Sequence, residues 1–118
     1  MKEWKWGLLS VLLVIAPVSA ARWEADITSR TDAHTSEVVA LRHWFHANPE
    51  LGNREFNTAA RIATELRTLG FDEVREGIAH TGIIGILRGG RPGPVVALRA
   101  DMDALPVQEK TGVPFAST

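Results

Sequence analysis

Apolar positions recur along this chain first at helical and then at strand spacing. From about Thr31, Val38, Leu41 and Phe45, with Trp44 beside them, return every three or four residues, as one face of a helix requires. Asn48-Pro49 ends that pattern, because a residue before proline is pushed out of the helical region. A second stripe, Phe56, Ala59, Ala60, Ala63, Leu66 and Leu69, predicts a helix that Glu55 favours at its start through the helix dipole. Gly70 suits its left-handed stop. Beyond it the period shortens. The expected elements are helices near 32–47 and 55–69 and strands near 71–76, 82–88 and 94–100. Gly89-Gly90-Arg91-Pro92-Gly93-Pro94 has the composition of a turn, so 83–100 reads as a hairpin whose second arm, Val95 to Ala100, is buried on both faces. On this pattern the stripe from Phe56 to Leu69 faces the same core as Ile84 and Val96. The class is α/β: two helices, then about three strands.

The first twenty residues read as an address rather than as part of the fold. Lys2 and Lys5 precede the apolar run Gly7 to Ala16, Pro17 breaks it, and Val18-Ser19-Ala20 offers small side chains before a cut at Ala20/Ala21. That is the layout of a secretory signal peptide. A membrane anchor is the rival, but a spanning helix needs ~20 apolar residues and this run is shorter. Residues 21–30 are expected to be a loosely held lead-in, and 31–118 the folded part. The expected location is secreted or periplasmic, with no membrane association after cleavage. Loss of residues 1–20 removes Lys2, Lys5 and Glu3 from the 13 basic and 14 acidic residues of the chain, leaving a net charge of −2. That balance, without any run of like charge, gives no support to a nucleic-acid partner. There is no cysteine, so no disulfide or thiol lipid attachment is possible.

Candidate chemistry centres on Asp101 and Asp103. One residue apart, they point to the same face of an extended backbone. Paired carboxylates at a strand end are costly unless a metal, a histidine or a cation compensates them; the alternative is a solvated turn. His43 and His46, three apart on the first helix, lack a third ligand at matching spacing and read as surface or capping residues. His80 is a lone turn histidine. The glycines of Gly82-Ile83-Ile84-Gly85 and Arg88-Gly89-Gly90 fit turns, not a phosphate loop. Trp44 and Phe45 read as core.

Four motifs carry a resemblance: His46-Ala47-Asn48-Pro49-Glu50-Leu51-Gly52; Thr58-Ala59-Ala60; Thr81-Gly82-Ile83-Ile84-Gly85; and Ala97-Leu98-Arg99-Ala100-Asp101-Met102-Asp103-Ala104-Leu105-Pro106. Together, from about Val38 to Ser117, they resemble the zinc-type N-acyl-amino-acid amidohydrolases. That is the hippurate hydrolase and indole-acetyl-amino-acid hydrolase branch, related to aminoacylase and to bacterial carboxypeptidases. The resemblance implies the amino-terminal part of the α/β catalytic domain of a two-domain metallohydrolase, whose smaller inserted domain makes homodimers. It implies cleavage of an N-acyl amino acid or small peptide by a metal-activated water. In cousin branches a histidine ligand stands where Asp101 stands, and the carboxylate that orients it matches Asp103. In this branch the ligands instead come from a Cys-Gly-His-Asp-Gly-His segment, a Glu-Glu pair that includes the general base, and later histidines, none of them in this sequence. The expectation is therefore a chain inactive by itself, with no tightly bound metal. A divalent metal, zinc above others, is expected in the complete enzyme, and dimers only with the missing domain. The alternative of another class is a non-catalytic remnant or small binding module.

Overall fold

The computed structural model describes residues 18–117, with side chains from residue 23. The leader expected over residues 1–20 lies, except for its last three residues, outside the described residues. The element order is α1 (Val18–Ala47), α2 (Phe56–Thr68), β1 (Glu73–Ile78) and β2 (Gly82–Ile86), an α/β mixture. The chain divides into two compact units, Met1–Ser36 and Glu37–Thr118.

In the first unit the described residues are helical. The expected helix start is corrected: α1 starts at Val18, not near 32. Residues 21–35 contain no glycine or proline to break it, and Asp26 and Arg30 form an i,i+4 ion pair at 3.1 Å. Every side chain from 23 to 40 is exposed, so local propensity rather than packing accounts for this part. Among the described residues no helix is long and apolar enough to cross a membrane.

The second unit holds the fold proper. α1 stops at Ala47, where the Asn48 side-chain amide donates to the carbonyl of Trp44 at 2.7 Å. α2 ends as its sequence predicts. Gly70 has φ +79°, its N–H reaches the Arg67 carbonyl at 3.1 Å, and the Phe71 N–H reaches the Leu66 carbonyl at 3.1 Å. That is a Schellman stop, which satisfies carbonyls that the helix end would leave bare.

β1 and β2 pair antiparallel, with Val74 opposite Gly85 and Ile78 opposite Gly82. The hairpin therefore closes through Ala79-His80-Thr81, and the expected hairpin over 83–100 is not formed. Ala79 and His80 supply the positive φ angles of the turn, +48° and +98°, without glycine. The two glycines of the Thr81-to-Gly85 motif are there for space. A Cβ on Gly82 would stand 2.5 Å from the Ile78 carbonyl oxygen. One on Gly85 would stand 2.9 Å from Phe71 Cδ1 and 3.1 Å from Leu66 Cδ1. Gly85 is thus the seat on which the end of α2 packs.

The third strand, expected near 94–100, is absent. Val95, Val96 and Leu98 are 96%, 81% and 97% exposed. Their apolar character predicts burial, but nothing among the described residues pairs with or covers them. The expected common core of Phe56, Leu69, Ile84 and Val96 is corrected with it, since all four are exposed. The centre of the stripe does turn inward: Ala63 is buried, and Ile62 and Leu66 are half-buried. Ala63 is the one buried apolar residue among those described, and no large side chain is fully buried.

Candidate functional site: a carboxylate pair beside a clamped turn

The turn after α1 is built around Glu50. Its Oε1 accepts the Asn57 N–H at 3.1 Å and the Asn57 side-chain amide at 2.8 Å, and its Oε2 accepts the Thr58 N–H at 2.7 Å. Asn57 and Thr58 are the second and third residues of α2, so a carboxylate from outside the helix caps two of its bare N–H groups. Burial pushes the Glu50 carboxyl up, but the N–H groups of Thr58 and Asn57 outweigh it and hold the group below the usual value. Glu55, expected to serve the helix start, makes no side-chain cap. It is buried and accepts the Thr81 hydroxyl at 2.6 Å, which ties the head of α2 to the hairpin turn. That hydroxyl, chief among its bonds, lowers the Glu55 carboxyl.

The same turn holds the segment that carries Asp101 and Asp103. The Ala104 N–H donates to the Glu50 carbonyl at 2.7 Å, and Leu51 and Ala104 form an isolated parallel bridge. Asp103 comes close to Gly52: a Cβ there would stand 3.6 Å from Oδ2. Asp101 pairs with Arg99 at 2.6 Å, and both side chains are largely exposed. Two clefts meet at this segment. One, of about 330 Å³, lies against Arg42, Asn48, Glu50 and Thr58. The other, of about 610 Å³, lies against Glu55, Leu66, Phe71 and Ile83. Asp101, Met102 and Asp103 line both.

The histidines sit elsewhere. His43 stacks on Phe115 with ring centroids 3.7 Å apart, and His46 Nε2 meets Glu109 Oε2 at 2.8 Å. His80 lies edge-on to Phe56 at 5.5 Å. Among the described residues no three His, Asp or Glu side chains are grouped to hold a metal. Asp101 and Asp103 offer oxygen alone, whereas zinc favours nitrogen and sulfur in a set of three or four protein ligands. The described residues do not make a zinc site.

Sequence reasoning singled out Asp101 and Asp103 but missed Glu50, Thr81 and Glu109 as partners. Glu50 stands six residues before α2, outside the usual capping positions, and no local spacing marks it.

The four motifs are therefore stitched together in space. Glu50 joins the first to α2 and, through Ala104, to the fourth; Glu55 joins α2 to the third. Comparison with known proteins shows what the chain is similar to in sequence. Over 81 residues the chain is 48% identical to thermostable carboxypeptidase 2 of Saccharolobus solfataricus, covering 68% of this chain and 20% of that protein. It is 47% identical over 81 residues to the hippurate hydrolase of Campylobacter jejuni, covering 69% of this chain and 21% of the other. Against the N-acyl-L-amino acid amidohydrolase of Geobacillus stearothermophilus it is 40% identical over 92 residues, 78% of this chain and 25% of that one. The chain thus spans a fifth to a quarter of the length of these relatives. No protein-family model matches it, and no solved structure does. By sequence, the chain belongs to the family of amidohydrolases and carboxypeptidases that these relatives represent.

Proposed function

We propose that this chain is the amino-terminal part of an exported, metal-dependent amidohydrolase that cleaves the amide bond of N-acyl amino acids. The observation that carries the reading is the interlock of the Asn48-to-Gly52 turn with the Asp101-to-Ala104 segment, closed by the 2.7 Å bond from Ala104 to Glu50. That bond holds the aspartate segment at a junction of two clefts, and the residues that make it fall in the motifs that carry the family resemblance. In this reading residues 37–117 supply scaffold and two carboxylates, and the metal ligands and general base come from sequence outside the 118 residues. Asp103 then orients a ligand of the metal and does not bind the metal itself. Asp101, in contact with Arg99, has the weaker claim to a role. A second domain and a homodimer belong to the complete enzyme. Export rests on the leader-like pattern of residues 1–20. A stand-alone binding module fits less well, because among the described residues one buried alanine and an uncovered Val95-to-Leu98 run make a thin core.

The test is to purify the product of the gene together with whatever coding sequence follows Thr118. It is then assayed with zinc and N-benzoylglycine or N-acetyl amino acids. Metal-dependent release of free amino acid supports the reading. A full-length, folded, metal-loaded product inert on every N-acyl amino acid and dipeptide tried refutes it.

A further inference from the structure

The segment after Asp103 has no helix or strand, yet it is fastened by one carboxylate. Glu109 Oε2 accepts the Ser117 N–H at 2.6 Å and meets His46 Nε2 at 2.8 Å, while Oε1 accepts the Thr111 hydroxyl. The Glu109 side chain is only 11% exposed. Phe115, inside the loop so closed, stacks on His43 and lies under the Arg42 guanidinium at 5.6 Å. The last turn of α1 therefore receives the loop at His43 and at His46.

These contacts complete a closed circuit. From His46 the chain runs to Glu50; the Glu50 carbonyl holds Ala104; the chain then runs to Glu109, which returns to His46. A cleft of about 560 Å³ lies between the two arms, with Pro49 and Leu51 on one and Leu105 to Glu109 on the other. Upstream of Asp101 no such hold exists, since Val95 to Leu98 pair with nothing among the described residues. Among the described residues the backbone hydrogen bond that ties this segment to the first motif lies on the Ala104 side, and a circuit closed by two bonds holds that side better than one bond on an open arm.

We propose that Glu109 is a positioning residue for Asp101 and Asp103, acting through the circuit that it closes with His46. The proposal rests on the reading of those aspartates as functional groups. Its test follows backbone amides and not turnover, so it can fail while that reading stands.

The experiment is amide hydrogen exchange by NMR on the 118-residue chain and its Glu109→Gln variant. The variant keeps the size of the side chain but places an NH₂ where two donors, His46 and Ser117, now point. The expected result is a loss of protection of about tenfold or more at Ala104, the size expected when a hydrogen bond to a charged group is lost. Chemical-shift changes at Asp101 and Asp103 should accompany it, with the amides of Ala63 and Leu66 unmoved. Loss confined to Thr111 and Ser117, with Ala104 protected as before, would overturn the proposal, because Glu109 would then hold only its own loop. If Glu109→Gln also lowers protection in α2, His46→Ala decides. It opens the circuit but leaves the bonds from Thr111 and Ser117, so weakened Ala104 supports the proposal and unchanged Ala104 overturns it.

Discussion

Replacing Glu50 tests how far the motif residues act as scaffold. Its carboxylate takes three N–H donors, two of them backbone groups in the first turn of α2. Thr58 is only 4% exposed, so without Glu50 its N–H has poor access to water. Loss of a helix cap costs about 0.5–2 kcal/mol, and a buried donor left bare costs about 1–3 kcal/mol. These overlap at the Thr58 N–H, so Glu50→Ala should cost about 2 kcal/mol. Glu50→Gln keeps one acceptor oxygen but loses the charge at the helix head, and should cost about 1 kcal/mol. Urea unfolding followed by tryptophan fluorescence and far-ultraviolet circular dichroism reads both. The midpoint should fall in the order wild type, Gln, Ala. The acid dependence adds a second check. The folded Glu50 carboxyl lies below its unfolded value of 4.5, so its contribution is complete above that pH and is lost as pH falls through the folded value. Glu50→Gln should therefore lose less stability than wild type on acidification. An Ala variant within about 0.3 kcal/mol of wild type would refute the capping argument, since surface substitutions alone stay within about 0.5 kcal/mol.

Other outcomes follow from the same geometry. Gly85→Ala should destabilise by about 1–3 kcal/mol, because its Cβ would press on Phe71 and Leu66; co-replacement of Phe71 by Leu should recover part of that, as thermal unfolding would show. Glu109 is held at about 2, first by the Thr111 hydroxyl and then by the Ser117 N–H, so its carboxyl resonance should titrate well below 4.5. Its stabilising contribution is present above 4.5 and fades as pH falls toward about 2; a midpoint near 4.5 would mean the loop is undocked. In the complete enzyme, Asp103→Ala should lower activity or metal affinity by ~10–100-fold, and unchanged kinetics and affinity would remove Asp103 from the site. Mass spectrometry of secreted material should give Ala21 as the first residue, whereas Met1 retained in a membrane fraction would indicate an anchor.

What was legible in the sequence was local. α2 and its stop followed from one stripe and Gly70, because periodicity and a left-handed glycine act within a few residues. The hairpin departs from expectation for a similar reason. Gly89 to Pro94 carries stronger turn chemistry than Ala79-His80-Thr81, and the actual turn takes positive φ at residues that rarely adopt it. The run Val95 to Leu98 states a demand for burial without naming its partner, so a strand drawn there had nothing to pair with. The start of α1 is not marked in the sequence, because residues 21–35 have no apolar stripe, although they contain no helix breaker. Asp101 and Asp103 could be selected by type and spacing. Glu50, Glu55 and Glu109 could not, since each acts on groups distant in the chain: His46 and Glu109 lie 63 residues apart. Phe56 and Leu69 show the limit of the stripe itself, whose ends are exposed because so little is packed against them.

The most direct test of the account is zinc titration of purified residues 21–118 by calorimetry, with a parallel hydrolysis assay on N-benzoylglycine. Two aspartates without a nitrogen or sulfur ligand should give weak, non-stoichiometric binding and no turnover. One tightly bound zinc per chain together with release of glycine would contradict the account and put the reacting centre within these residues.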